Sequence, residues 1–208
     1  MHRYDRSRQA LAVALAALAG FVDASGFVAN GGYFISFMSG NTTRLAVDLA
    51  RDTGAAWRPA GLIAGFVLGV TLGSVVAAVA GERRKVAVLG TVAALLTLAG
   101  MGAGVPVLAQ TAMVLAMGAM NATFQRDGEV AVGLTYMTGA LVRAGQGLAG
   151  WLLGRANGAW RAHMALWLGL ACGGIAGALS QTHWGGATQW LAAGWAGTMA
   201  LLARRLRA

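Results

Sequence analysis

Seven residues of this chain carry side chains that could bind or move a polar solute: Asp23, Ser39, Asn41, Arg44, Asn121, Thr138 and Arg143. Most of them fall in matching pairs. Phe37-Met38-Ser39-Gly40, with Arg44 four residues after the glycine, returns ninety-nine positions later as Tyr136-Met137-Thr138-Gly139 with Arg143. Gly20-Phe21-Val22-Asp23-Ala24 likewise pairs with Gly118-Ala119-Met120-Asn121-Ala122. The chemistry these types allow is recognition and proton carriage, not bond making.

Asp23 is the only acid inside an apolar stretch long enough to cross a bilayer. A carboxylate at that depth costs at least about 2.5–3.5 kcal/mol, so it must face the bundle interior or a wet cavity. It reads as a proton-coupling or cation-binding group. The structural alternative is a carboxylate satisfied by Ser25, by backbone N–H groups of a broken helix, or by an arginine. Asn121 keeps the hydrogen bonding and drops the charge, so only one half would carry a proton.

Ser39-Gly40-Asn41-Thr42-Thr43 reads as a helix start, with Ser39 as cap, and Thr138-Gly139 reads the same way. Helix starts present free N–H groups and a partial positive charge, which suit anions. The plainer role for such small residues is close helix contact. Arg44 and Arg143 sit one turn after their glycines. They could grip a carboxylate or phosphate in a bidentate fork, or simply snorkel to the headgroups.

The elements that must position these groups are helices in a membrane. Of 208 residues 57% are hydrophobic, mean hydropathy is +0.62, and glycine supplies 32 residues against 2 prolines. That exceeds the apolar share of soluble domains and fits close-packed membrane helices. The fold class expected is all-α, a polytopic membrane protein with the lipid bilayer as its surroundings. Six spans of about the 20 residues needed to cross lie near 10–29, 59–80, 86–105, 107–125, 162–181 and 187–203. An eight-span count, with 31–50 and 131–153 also crossing, puts Arg83-Arg84-Lys85 on the outer side, so six is preferred. The segments 31–50 and 131–153 then enter as broken or re-entrant pieces.

With the N-terminus inside, thirteen Lys and Arg lie on the inner side and only Arg44, Arg51 and Arg58 outside. The positive-inside rule therefore places both termini in the cytoplasm. The net charge of +9 is explained by these short loops, so no nucleic-acid partner is expected. Residues 1–20 have the look of a signal peptide, but the apolar run continues past Gly20 and reads as a retained first helix.

Trp57-Arg58 pairs with Trp160-Arg161, and Gly65, Gly69 and Gly73 pair with Gly169, Gly173 and Gly177, the offset drifting from 98 to 104. One membrane domain thus divides into halves at 9–105 and 106–203. Three spans per half is odd, so the second half enters upside down, the plan of many secondary transporters. The glycine ladders are packing faces, within the bundle or at a homodimer contact.

Gly20-Phe21-Val22-Asp23-Ala24 leading into Ser36-Phe37-Met38-Ser39-Gly40-Asn41-Thr42-Thr43 resembles the signature of the YoaK-like family of bacterial integral membrane proteins. The resemblance covers essentially the whole chain and implies an inner-membrane protein; it brings no substrate and no catalytic residues. Ala140 stands where the first motif copy has Asn41, a departure from strict twofold equivalence.

Other chemistries find little footing. Gly145-Gln146-Gly147-Leu148-Ala149-Gly150 fits a dinucleotide fingerprint only formally, with no preceding strand. Cys172 is alone, and His2, His163 and His183 have no ligand spacing, so no metal or cofactor is expected. The function expected is that of a transporter or channel-like protein. It would move a small polar or anionic solute through a site at the repeat interface, with Asp23 coupling protons. The rivals are a non-transporting membrane partner or scaffold protein, and an enzyme acting on a lipid or quinone. The enzyme is disfavoured because acid–base work needs paired groups within reach.

Overall fold

A computed structural model describes residues 6–52, 54–126, 129–130, 137–155 and 160–205. Eight α-helices follow in order: α1 (Arg6–Ala29), α2 (Met38–Ala50), α3 (Trp57–Ala80), α4 (Arg84–Met101), α5 (Pro106–Met120), α6 (Met137–Leu152), α7 (Trp160–Trp184) and α8 (Thr188–Ala203). A two-residue antiparallel ladder, Gln125–Arg126 with Glu129–Val130, is the only β structure among the described residues. The fold is all-helical, as the apolar runs demand.

Among the described residues, four helical stretches are long and apolar enough to cross a membrane: Ser7–Ala29, Trp57–Met101, Pro106–Phe124 and Trp160–Ala203. The second and fourth, of 45 and 44 residues, are double length. At 1.5 Å per residue either would reach roughly 65 Å if straight, about twice the hydrocarbon thickness. Each is instead broken by one 3-10 turn, Gly81–Arg83 in the former and Gly185–Ala187 in the latter. Gly81 and Gly185 both have φ +53°, a left-handed conformation that only glycine adopts without penalty. The third apolar helix stops at Met101, four residues short of the boundary expected at 105, because Gly102–Val105 form the tight turn before Pro106.

Helices α2 and α6 are different in kind. At 13 and 16 residues they reach only about 20–24 Å, too short to span about 30 Å of hydrocarbon. The segment 31–50 is therefore a short helix with its lead, and the described part of 131–153 is a short helix from Met137; residues 131–136 lie outside the described residues.

Packing is led by α1 with α7, followed by α4 with α8 and α3 with α5, and α4 also lies against α5. In the α1–α7 and α3–α5 pairs glycine lets backbones touch. A Cβ at Gly173 on α7 would overlap the carbonyl of Ala17 on α1, and a Cβ at Gly69 on α3 would overlap the carbonyl of Leu115 on α5. Gly177 meets Phe21 and Gly73 meets Ala119 in the same manner. The glycine ladders are thus used within the bundle, against α1 and α5, and a homodimer would need another face. Leu15, Leu18, Leu89, Leu96, Met117 and Met120 fill the centre with no exposed surface. Val67, Leu68, Val75 and Val79 on α3 and Ile175 and Leu179 on α7 are exposed, the outward apolar band that a lipid solvent requires. Trp57, Trp184 and Trp190 are exposed near helix ends, where interface anchors belong.

Candidate functional site

Between α1 and α2 the chain runs without regular structure through residues 31–37, yet Tyr33, Ile35 and Ser36 are buried. Backbone groups buried outside a helix need partners, or each costs about 1–3 kcal/mol. Two side chains supply them. One carboxylate oxygen of Asp23 accepts the N–H of Ile35 at 2.7 Å and of Ser36 at 2.6 Å. The Ser36 hydroxyl and the Phe37 N–H are turned toward the same carboxylate. Asn41, fully buried on α2, reaches back to Phe34 with both ends of its amide: it accepts the Phe34 N–H at 3.0 Å and donates to the Phe34 carbonyl at 2.7 Å. Asp23 and Asn41 together do for Phe34–Ser36 what a neighbouring strand would do.

The segment so fixed forms one wall of a cavity of about 200 Å³. Ser36, Phe37, Met38 and Ser39 line it from the first half of the chain, and Met137, Thr138 and Gly139 from the second, with Phe66 of α3 between them. The two motif copies meet here. Phe66 is the tenth residue of α3, about 14 Å from its start at 1.5 Å per residue, which sets the cavity near mid-helix. Ser39, Thr138 and Gly139 are exposed to the opening. Among the described residues nothing accepts the N–H groups of Ser39 and Gly40, in the first turn of α2. Hydroxyls, free amides and thioethers over an otherwise apolar surface can hold a small polar or anionic solute.

Residues 11–202 match the family known as DUF1275, a protein of unknown function. The chain belongs to the DUF1275 family. The resemblance carried by the first-half motif is thereby borne out, over most of the chain. A UPF0700 transmembrane protein of Rhizobium meliloti (strain 1021) is 39% identical over 182 residues, covering 88% of this chain and 80% of the relative. No solved structure matches. Taken with the four apolar helical stretches, these findings make this DUF1275 member a helical membrane protein.

The seven residues singled out by the sequence separate into groups. Ser39 and Thr138 line the cavity. Asp23 and Asn41 do not line it; they hold its wall. Arg44 turns to the other side of that wall, its guanidinium 5.2 Å from the Tyr33 ring and 6.0 Å from the Phe27 ring. Asn121 is buried at the end of α5, its amide nitrogen donating to the Met117 carbonyl at 3.0 Å. Arg143 is exposed on α6, away from the cavity lining.

The capping role expected of Ser39 is not observed. Phe37 occupies the cap position of α2 without a side-chain bond, and Ser39 is the second helical residue. Thr42 and Thr43 bond back to the Met38 and Ser39 carbonyls instead, as hydroxyls inside a helix do. The residue before α6, Tyr136 of the second motif copy, lies outside the described residues. Sequence reasoning missed Phe66 and Ser36 as lining residues. Ser36 adjoins the motif and was within reach; Phe66 sits in an unbroken apolar run and carries no local signal. The described residues hold no group of three His, Cys, Asp or Glu suited to a metal.

Proposed function

We propose that this protein is a transporter or channel-like protein of the bacterial inner membrane, and that a small polar or anionic solute passes through the cavity between the two motif segments. The observation that carries the reading is that shared cavity. Two stretches almost a hundred residues apart, alike in sequence, line one hollow at mid-helix, with hydroxyls set in an otherwise apolar surface. Irregular backbone at membrane depth is tolerated where it lines a cavity, and discontinuous helices at repeat interfaces form the solute sites of many transporters.

The proposed architecture is six spans in two inverted halves, 9–105 and 106–203, with α2 and α6 as re-entrant helices and both termini cytoplasmic. The paired contacts support it. Gly69 against Leu115 becomes Gly173 against Ala17 when α3 is shifted by 104 positions and α5 by 98 in the opposite sense, and Gly73 against Ala119 becomes Gly177 against Phe21. Gly81 and Gly185, also 104 apart, turn their helices with the same φ. A twofold axis that exchanges the halves accounts for all three matches.

In this reading Ser39 and Thr138 contact solute, while Asp23 acts on it through the wall. Protonation of Asp23 would remove the charge that holds the Ile35 and Ser36 amides, so a proton would loosen the segment that lines the site. Arg44 and Arg143, outside the lining, would attract solute to either mouth. Counterflow in liposomes containing the purified protein tests the proposal: flux of a polar or anionic solute should be lost in Asp23→Asn and reduced in Thr138→Val. Well-folded protein with no flux for any solute class would favour the scaffold role, and turnover of lipid in detergent the enzymatic one.

A further inference from the structure

A second cavity, of about 480 Å³, opens where α1 ends and α3 and α5 begin. Among the described residues its polar lining is Asn30, Tyr33, Arg58, Gln110 and Thr111, a set with one cation and no carboxylate. Arg58 is exposed at the mouth, its guanidinium 5.5 Å from the Trp57 ring, so the charge is oriented but not neutralised by that contact. The charges behind the Tyr33 wall offset one another: Arg44 lies over the ring, and the carboxylate of Asp48 accepts the Tyr33 hydroxyl at 3.4 Å. Neither α3 nor α5 has a side-chain bond at its N-cap; Pro59 and Pro106 carry no N–H and the Arg58 and Leu108 amides bond the Ala55 and Val105 carbonyls, so the Trp57 and Val107 amides are what each first turn adds to the positive potential. Leu62 and Val114 supply an apolar floor.

This cleft and the central cavity are stacked along α3. Leu62 lines the cleft and Phe66, one turn further, lines the central cavity. The partition between them is the segment already described: Tyr33 faces the cleft, Ser36 faces the cavity, and Phe34 and Ile35 lie between. Asp23 and Asn41 hold that partition through four backbone hydrogen bonds.

We infer that the cleft is an entry site for a small organic anion, its carboxylate or phosphate on Arg58 and its apolar part against Leu62 and Val114, closed from the central cavity by the partition that Asp23 and Asn41 latch. Its place as an entry rests on the transport reading; anion preference and closure do not. The volume lies within the usual range of about 300–1,000 Å³ for ligand sites. With cations gathered on the cytoplasmic side, the cleft opens to the periplasmic face.

Thiol labelling in phosphatidylcholine liposomes tests each part. In a Cys172→Ser background, Gly61→Cys probes the cleft and Gly139→Cys the central cavity; both glycines have open space around a Cβ. Rates with an anionic and a cationic methanethiosulfonate are compared after normalising to a free thiol. Gly61→Cys should favour the anionic reagent about tenfold, as a cleft of one charge sign steers its ligand. Arg58→Gln should abolish the preference, and millimolar benzoate should slow the labelling. Gly139→Cys should react slowly from that side and about tenfold faster once Asp23→Asn or Asn41→Asp raises the open fraction.

Equal rates for the two reagents, or a preference indifferent to Arg58→Gln, would overturn the anion site. Protection that appears only with phosphatidylglycerol in the bilayer would assign the cleft to a lipid headgroup instead. Gly139→Cys reacting as fast as Gly61→Cys with the latch intact would overturn the partition. If Asp23→Asn fails to give monodisperse protein, Asn41→Asp decides alone, since it keeps an acceptor for the Phe34 N–H and loses the amide nitrogen that bonds the Phe34 carbonyl and the Met38 sulfur. The expected labelling without any solute flux would remove the transport reading and leave the cleft; flux without charge preference would do the reverse.

Discussion

The glycine-packed helix pairs and the motif segments keep the proposed repeat to different degrees. Contacts of α1 with α7 and of α3 with α5 repeat almost position for position, down to which carbonyl each glycine touches. The polar side chains around the motifs are not kept. Asn41, which binds Phe34 from both sides, is matched by Ala140, and the carboxylate of Asp23, which holds two amides, is matched by the neutral amide of Asn121. Arg44 lies against two aromatic rings while Arg143 is exposed. Helix packing constrains shape alone, so both copies keep it; a charged tether serves one particular wall, and one copy has it.

That contrast can be broken first where symmetry is strongest. Gly173→Val and Gly69→Val should each cost about 3 kcal/mol or more, since the new side chain would press on a backbone carbonyl and force the helices apart. Thermal unfolding in detergent should show similar losses for the two; a large loss for one alone would deny their equivalence. Next comes the asymmetric pair. Asp23→Ala should cost about 2–4 kcal/mol by orphaning the Ile35 and Ser36 amides, both bonded to a charged group, and more than Asn121→Ala, which removes a neutral amide. Equal losses would mean that the carboxylate is not what holds the wall.

Smaller effects sharpen the picture. Asn41→Ala should cost about 1–3 kcal/mol, since the Phe34 N–H and carbonyl lose their partner, whereas Ala140→Ser should change stability little. Arg44→Gln should cost about 0.5–1 kcal/mol through the lost ring contacts, and Arg143→Gln less than about 0.5 kcal/mol, as at other exposed sites. A melt in which Arg143→Gln proves the more damaging would reverse the assignment of the tethered half.

Much of the fold was legible because its signals are periodic and redundant. Long apolar runs, prolines at 59 and 106 and charged or glycine-rich turns fix where helices start and stop. The motif repeat pointed to the cavity because Met, a hydroxyl and Gly interrupt apolar runs twice. What Asp23 does was legible only as one alternative, a carboxylate satisfied by backbone N–H groups; which amides it holds, twelve and thirteen residues away, leaves no trace in sequence. Arg44 misled for a related reason. Spacing put it on the face of Ser39 and Gly40, but the rings of Tyr33 and Phe27 draw it to the other side of the wall.

The most direct test joins the two motif segments covalently. In the Cys172→Ser background, Ser39→Cys with Thr138→Cys should be bridged by a short bifunctional thiol reagent, because both positions line one cavity of about 200 Å³. The bridge should stop solute flux in liposomes, and reduction should restore it. Efficient bridging with undiminished flux would contradict the account, as would two thiols that no short reagent can connect in folded protein.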